Sequence, residues 1–178
     1  MKAVDKLRKI AGAAEEVPIT DPMKLARTAL SFSEDLRAEL DVIDVPYGRF
    51  SIAENKNITV QLHLHSPGYE GQIHDHGTWG IMASLKGTFA LEDWIVNTKL
   101  GTHCTRKYVM PAFGMVHFSY IEGFDWHKNT NMENYRAMSL HIYGPKHNND
   151  LGTSYDPIND KIITRPRLKM DPVSNYGI

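Results

Sequence analysis

The chain lacks the sequence features of disulfide-bonded, membrane-spanning, nucleic-acid-binding and secreted proteins. Its 178 residues include one cysteine, Cys104, so no internal disulfide bond can form. No apolar run approaches the roughly 20 residues of a membrane-spanning helix. The net charge of −1 and the absence of a Lys/Arg block give no indication of binding to nucleic acid or a membrane. The N-terminal residues carry charges throughout and lack the apolar core of a signal peptide, so we expect a cytoplasmic protein.

Histidine is the residue type in excess, with nine in the chain. His74 and His76 are separated by one residue and lie between Gly68 and Gly87. On a strand, residues two apart face the same side, so both imidazoles can reach one metal ion. Neutral imidazole is the commonest metal ligand in proteins. The pattern predicts a metal site, with a pair of surface histidines as the alternative.

The hydrophobic pattern divides the chain into three parts. Residues 1–45 are predicted to be helical, with Asp21 and Pro22 at a helix start. From Arg49 to Tyr143, short alternating segments between turn residues indicate a sandwich or barrel. The predicted strands are Arg49–Ala53, Ile58–Ser66, Gly80–Leu85, Phe89–Asn97, Thr105–Met110, Val116–Ile121 and Tyr135–Tyr143. The polar residues 146–178 are expected to form an extended arm.

A metal site on such a barrel needs a third ligand from another strand. His127 is favoured because Asn131 follows four positions later and because it precedes the segment Ser139–Tyr143. His117 is the rival candidate, since it also follows a Pro-Gly turn.

A second His-x-His pair, His63 and His65, lies on the strand face opposite Val60, Leu62 and Leu64. We interpret this pair as ordinary outer-face or barrel-wall histidines. His103 lies near a Gly-Thr turn and is expected on the surface.

These spacings resemble the cupin superfamily. Gly68, His74, His76 and Gly87 match its first motif, while Gly80 stands where a ligating Glu is usual. His127 and Asn131 match the end of the second motif. The resemblance implies an all-β cupin, a double-stranded β-helix or jelly-roll barrel over residues 46–145, with the helices of residues 1–45 packed on it as part of one domain. Three histidines without a carboxylate suit Fe, Zn, Cu or Ni and favour an anionic ligand such as a thiolate.

Three segments resemble, more narrowly, the cysteine dioxygenase family of thiol dioxygenases, in its bacterial form. They are Tyr47-Gly48-Arg49, His74-Asp75-His76-Gly77 and Ser139-Leu140-His141-Ile142-Tyr143. The resemblance implies that His74, His76 and His127 hold Fe(II). It further implies that the protein oxidises a small carboxylated thiol with O2 to its sulfinic acid.

The same resemblance assigns roles to the other residues. Arg49, assisted by Tyr47, would bind the substrate carboxylate, for which a planar fork of donors is well suited. Tyr143 would place its hydroxyl near the substrate and oxygen. Ser139 and His141 would orient that hydroxyl through hydrogen bonds.

Two departures bear on the substrate. Gly80 stands where the animal enzymes have a cysteine cross-linked to the tyrosine, so we predict no thioether here. The related 3-mercaptopropionate dioxygenases use an arginine shortly beyond the Ser-His-Tyr strand. In this chain the residues from Pro145 to Ile163 include no arginine, and the first ones that follow are Arg165 and Arg167. Arg49 therefore favours L-cysteine. The alternatives are a 3-mercaptopropionate dioxygenase and a non-catalytic cupin that binds a metal or ligand. All three functions allow a homodimer.

Overall fold

The computed structural model describes residues 1–12, 21–119, 125–145, 151–166, 171–172 and 175. Three helices come first: α1 (Ala3–Gly12), α2 (Pro22–Ser31) and α3 (Ser33–Leu40). The strands are β1 (Gly48–Glu54), β2 (Thr59–His65), β3 (Ile73–Asp75), β4 (Gly80–Lys86), β5 (Phe89–Ile95), β6 (His103–Met110), β7 (Met115–Phe118), β8 (Trp126–Asn131), β9 (Ala137–Tyr143), β10 (Leu151–Asp156), β11 (Lys161–Pro166) and β12 (Asp171–Pro172). Within these ranges, no helix has the length and apolar character needed to cross a membrane.

The strands of the described residues form two six-stranded sheets. Their orders are β12-β1-β2-β9-β4-β7 and β11-β10-β3-β8-β5-β6. The eight central strands therefore form the four-stranded sheets β2-β9-β4-β7 and β3-β8-β5-β6, in which the first and last strands, β2 and β9, pair side by side. This is the jelly roll of two Greek keys, the architecture of cupins. The topology confirms the all-β double-stranded β-helix predicted from the sequence.

The three helices cover the outer face of the first sheet. Apolar side chains of alternate residues on β2, β4 and β9 pack with Leu7, Leu36 and Leu40 of the helices in one buried cluster. On the strands these residues are Val60, Leu62, Leu64, Ile81, Ala83, Leu85, Met138, Leu140 and Ile142. The intervening residues of the same strands face the other sheet. The central strands of this sheet are thus buried on both faces.

The described residues after Gly144 include two strands that join the second sheet. Among those that the structure describes, β10 and β11 form an antiparallel hairpin, and β10 pairs with β3, where Ser154 lies opposite His74. This differs from the extended arm that we expected over residues 146–178. Strand β3 has three residues and would be an unpaired sheet edge without β10, so the hairpin satisfies its backbone groups.

Several strands of the barrel differ from the sequence prediction. Strand β8 was not predicted, because its residues after Trp126 are mostly polar and lack an alternating apolar pattern. The strand expected over Val116–Ile121 begins one residue earlier, as β7, and ends at Phe118; residues 120–121 lie outside the described part of the chain.

Candidate metal and substrate site

Three histidines converge between the strands of the second sheet. His74 of β3 lies directly opposite His127 of β8 in the antiparallel register, and His76 follows β3 by one residue. The ligand-capable nitrogens of the three rings all lie within 4.8 Å of one another. The structure therefore brings together the three histidines predicted as metal ligands.

Backbone carbonyls fix the tautomers of two of these rings. The Nδ1–H of His74 donates to the carbonyl oxygen of Gln72 at 2.8 Å, and the Nδ1–H of His127 donates to that of Asp125 at 2.9 Å. Since a carbonyl only accepts, Nδ1 carries the hydrogen and Nε2 of the neutral ring keeps its lone pair. Burial lowers the pKa of His127, which favours this neutral form.

These lone pairs are aimed at a common point. The Nε2 atoms of His74 and His76 are 3.1 Å apart. At this distance the two nitrogens share either a hydrogen or a cation, because two bare lone pairs would repel one another, and carbonyl-oriented imidazoles are typical of metal sites. Among the residues that the structure describes, no carboxylate joins His74, His76 and His127 in this group. Its donor set, three neutral imidazoles, fits Fe(II) among other divalent metals.

Gly80 creates the space beside this group. It lies opposite Tyr143 in the register of β4 and β9, and a Cβ atom added to it would be 3.1 Å from Cδ1 of Tyr143 and 3.5 Å from Nδ1 of His76. Because the side chain is missing, the rings of Tyr143 and His76 meet edge to face with centroids 4.4 Å apart. Cys104, on β6 opposite Trp94, lies in the other sheet and does not replace a residue at position 80.

Ser139, His141 and Tyr143 form a buried hydrogen-bonded row on the inner face of β9. Ser139 Oγ lies 2.8 Å from His141 Nε2, and His141 Nδ1 lies 2.9 Å from the hydroxyl of Tyr143. The row has a fourth member, which lies on another strand and which no sequence pattern indicated. His65 Nε2, on β2, lies 2.8 Å from Ser139 Oγ.

Of the two alternatives for His63 and His65, the outer face is wrong and the barrel wall is correct. They are only 5% and 2% exposed, and both line the central cavity. The ring of His63 stacks on that of His141 with centroids 3.9 Å apart, and its Nε2 bonds the side-chain oxygen of Gln61. The outer face of β2 is the apolar one because the helices, rather than water, cover it.

His63, His65 and His141 form a second group whose ligand-capable nitrogens lie within 4.8 Å of one another. Its geometry suits hydrogen bonding better than metal binding. The planes of His63 and His141 are within 19° of parallel, so their in-plane lone pairs do not converge. His141 also uses both ring nitrogens in hydrogen bonds to Ser139 and Tyr143.

Arg49 lies on the wall of the same cavity with two tyrosines. Its Nε donates to the hydroxyl of Tyr47 at 3.0 Å, and the ring of Tyr47 stacks on that of Tyr69 at 4.9 Å. Burial acts to lower the pKa of Arg49, but Tyr47, Tyr143 and Tyr69 outweigh it and the pKa is raised, so the guanidinium stays charged. Burial, followed by the proximity of Tyr47, raises the pKa of Tyr69 to about 12. Tyr69 lies in a loop without a recognisable motif, and the sequence offered no signal for it.

One cavity connects these groups. Its volume is about 490 Å³, and its lining includes Arg49, His74, His76 and Tyr143. Gly152, Thr153 and Ser154 of β10 close one side, so the C-terminal hairpin is part of the cavity wall.

The remaining predicted candidates lie elsewhere. His117 on β7 and His103 on β6 are both exposed, and neither belongs to the described histidine groups. Asn131 is structural, because its amide donates to the carbonyl oxygens of Ser66 at 2.8 Å and Tyr135 at 3.0 Å. The side chain of Arg165 and all of Arg167 lie outside the described residues.

Several solved structures are similar to this chain. An RmlC-like cupin from Shewanella frigidimarina is 13% identical over 60% of this chain and 82% of its own, with a TM-score of 0.46. KdgF from Halomonas sp. is 13% identical over 60% and 84% of the two chains, with a TM-score of 0.47. An oxalate oxidase in complex with the substrate analogue glycolate is 14% identical over 57% and 52%, with a TM-score of 0.46. No protein-family model and no curated protein matches the chain.

None of these similarities supplies a substrate.

Proposed function

We propose that this cupin is a non-haem iron thiol dioxygenase that oxidises a small carboxylated thiol, L-cysteine, with O2 to its sulfinic acid. The observation that carries the proposal is the pairing of two features in one cavity of about 490 Å³. One is a group of three histidines without a carboxylate; the other is a half-buried, charged arginine, Arg49. The first suits an anionic sulfur ligand and the second a carboxylate.

His74, His76 and His127 would hold the Fe(II). When bound there, it would supply the redox chemistry that joins the thiol sulfur to the two atoms of O2. The three neutral imidazoles leave the +2 charge of the ion uncompensated, which lowers the pKa of a nearby thiol and favours the thiolate. The carbonyls of Gln72 and Asp125 keep two of these rings in the ligating tautomer.

Arg49 would bind the carboxylate of the substrate. Its hydrogen bond to Tyr47 fixes the plane of the guanidinium, and the stacked ring of Tyr69 supports Tyr47 from the other side. A fixed, half-buried guanidinium offers a carboxylate two parallel hydrogen bonds with reduced competition from water. Binding at this point would orient the thiol end of the substrate toward the three histidines.

Tyr143 would contribute a hydroxyl beside the reacting groups. Its ring packs against His76, and its oxygen is held by His141, which is in turn held by Ser139. A hydroxyl held in this way can donate to a bound sulfur or oxygen atom without a large loss of side-chain entropy.

Oxygen consumption after anaerobic loading with Fe(II) tests the proposal. L-cysteine, cysteamine and 3-mercaptopropionate should be compared, because they differ in whether they carry the carboxylate and the amine. We expect the highest kcat/KM with L-cysteine and a value roughly 100-fold lower with cysteamine, which has no carboxylate for Arg49. Oxygen uptake with none of the thiols, despite bound iron, would leave a non-catalytic metal-binding cupin. A preference for 3-mercaptopropionate would favour that alternative enzyme.

The variant Arg49→Gln tests the carboxylate assignment separately. It should lower kcat/KM for L-cysteine by roughly 100-fold and change the value for cysteamine little, since only the first substrate loses a charged partner. Arg106→Gln is the matched control, because Arg106 pairs with Asp93 on the outer part of β6, where its side chain is 65% exposed. Full activity of Arg49→Gln with L-cysteine would contradict the role given to Arg49.

A further inference from the structure

The hydrogen-bonded row on the inner sheet face includes His65, which contacts neither the three metal-binding candidates nor the proposed substrate. Four groups follow one another: His65 Nε2, Ser139 Oγ, the two ring nitrogens of His141, and the hydroxyl of Tyr143. The three distances that join them are 2.8, 2.8 and 2.9 Å. The row thus links β2 to β9 and ends beside the histidines of the candidate metal site.

The number of hydrogens in this row permits two arrangements. Ser139 has one O–H and lies between two ring nitrogens, so it donates to one and accepts from the other. Burial lowers the pKa of His65 to about 3 and that of His141 well below its ordinary value, so each ring is neutral and carries one N–H. Either every hydrogen is directed from His65 toward Tyr143, or every hydrogen is directed from Tyr143 toward His65.

The two arrangements differ at the far end of His65. Its Nδ1 is fully buried and has no hydrogen-bond partner among the residues that the structure describes, and the ring contacts the Phe89 ring edge to face with centroids 5.0 Å apart. If the hydrogens were directed toward His65, Nδ1 would carry a hydrogen that has no acceptor. In the other arrangement Nδ1 carries only a lone pair. A buried N–H without an acceptor is rarer in proteins than an under-used acceptor.

We infer that His65 is a positioning residue whose Nε2–H donates to Ser139 and so sets the direction of the whole row. Ser139 then donates to Nε2 of His141, and Nδ1–H of His141 donates to the oxygen of Tyr143. Tyr143 therefore directs its own hydrogen to a group other than His141. In the cavity that hydrogen can be directed toward an anionic or oxygen-bearing ligand at the three histidines, as the proposed reaction requires. The catalytic part of this inference rests on the proposed function; the direction of the hydrogens does not.

The tautomers can be measured without metal, substrate or turnover. Long-range 1H–15N NMR spectra of the metal-free protein, labelled in its histidines, distinguish a protonated from an unprotonated ring nitrogen. We expect a proton on Nε2 but not Nδ1 of His65, and on Nδ1 but not Nε2 of His141. Assignment follows from the signals missing in His65→Gln. A proton on Nδ1 of His65, for example one directed at the Phe89 ring, would overturn the inference.

Two variants of His65 test its consequence for activity. In His65→Gln the side-chain amide NH2 replaces Nε2–H as donor to Ser139, whereas His65→Leu offers no donor. We expect His65→Leu to lower kcat roughly tenfold with KM nearly unchanged, and His65→Gln to recover most of the loss. His103→Gln, an exposed histidine on β6, is the matched control.

The outcomes separate this inference from the proposed function. Equal losses in the Gln and Leu variants, with both folded by circular dichroism, would show that His65 acts through packing alone and would contradict the inference. If the wild-type protein oxidised no thiol, the proposed function would fail, and the NMR spectra would still decide the direction of the row.

Discussion

At the scale of single residues, the cavity depends on how each imidazole is held by its second nitrogen. His74 and His127 are fixed by backbone carbonyls, and both therefore present Nε2 to the same point. His65 and His141 are fixed by side chains instead and are used for hydrogen bonding. Histidine thus serves in this cavity both as a candidate metal ligand and as a hydrogen-bonding residue. The group that bonds the other ring nitrogen, a backbone carbonyl or a side chain, determines which of the two roles a ring has.

The choice of His127 as the third ligand can be tested directly. His127→Ala removes one of three ligands and should weaken the binding of Fe(II) by about 100-fold or more, since even outer partners of metal ligands cost 10- to 100-fold. Titration of the metal-free protein, with metal content as a second readout, measures the loss. His117→Ala is the matched control and should bind metal as the wild type does, because His117 is exposed on β7. The opposite pattern would contradict the assignment.

Gly80 should tolerate no side chain without a cost in activity. In Gly80→Ala the added Cβ would lie 3.1 Å and 3.3 Å from two carbons of the Tyr143 ring, so the ring must move. We expect a loss of about 1–2 kcal/mol in the free energy of unfolding and a lower kcat. Tyr143→Phe provides the control. If the glycine acts through Tyr143, the double variant should have the kcat of Tyr143→Phe alone, whereas additive losses would indicate another cause.

Some of these residues could be predicted from the sequence and others could not. His74 and His76 are adjacent in a motif, and Ser139, His141 and Tyr143 follow the two-residue period of one strand, so spacing alone places each set on one face. His65 and Tyr69 reach the cavity from β2 and from a loop, and no spacing rule links them to β9. Their position depends on strand pairing over 74 residues of sequence, as in the contact of His65 with Ser139.

At the scale of secondary-structure elements, the position of the helices determines that the outer face of the first sheet is apolar and its inner face polar. An alternating strand normally has its apolar face toward the barrel interior, and for this reason the sequence left open whether His63 and His65 lie on the outer face or on the barrel wall. Helices α1 to α3 cover the first sheet, so its apolar residues face them and its histidines face inward. The alternation was visible in the sequence, but the side that the helices would cover was not.

Arg136 fastens this helical layer to the sheet. It precedes β9 and donates to the carbonyl oxygens of Ile43 and Val45, at 3.1 Å for the second, and pairs with Asp41 at 3.3 Å. We expect Arg136→Gln to lower the free energy of unfolding by roughly 2–3 kcal/mol, because two backbone carbonyls lose a charged donor. Chemical denaturation measures the change. Arg27→Gln, which removes an exposed ion pair with Asp21, should cost less than about 1 kcal/mol; equal effects would contradict the fastening role.

At the scale of the whole molecule, the buried histidines link stability to pH. His65 is enclosed by Arg49, Tyr47, Tyr69, Ser139, His141 and Phe89. Burial, followed by the charge of Arg49, lowers the pKa of His65 to about 3 in the folded protein, whereas an unfolded histidine titrates near 6.5. Between these values the unfolded chain binds a proton that the folded protein does not. The contribution of His65 is therefore fully present above pH 6.5 and is lost as the pH falls toward 3.

The free energy of unfolding of the metal-free protein should therefore fall as the pH decreases from 6.5 to 4.5. A histidine held neutral contributes a slope of at most about 1.4 kcal/mol per pH unit, and His65→Gln should reduce the wild-type slope by roughly that amount. Urea denaturation at several pH values measures it. Leu64→Ala, on the same strand and also fully buried, is the control, because it removes stability without removing a titrating group. Its slope should equal that of the wild type even though its stability is lower. If His65→Gln also kept the wild-type slope, His65 would be charged in the folded protein at these pH values. A protonated ring carries a hydrogen on both nitrogens, including the buried Nδ1.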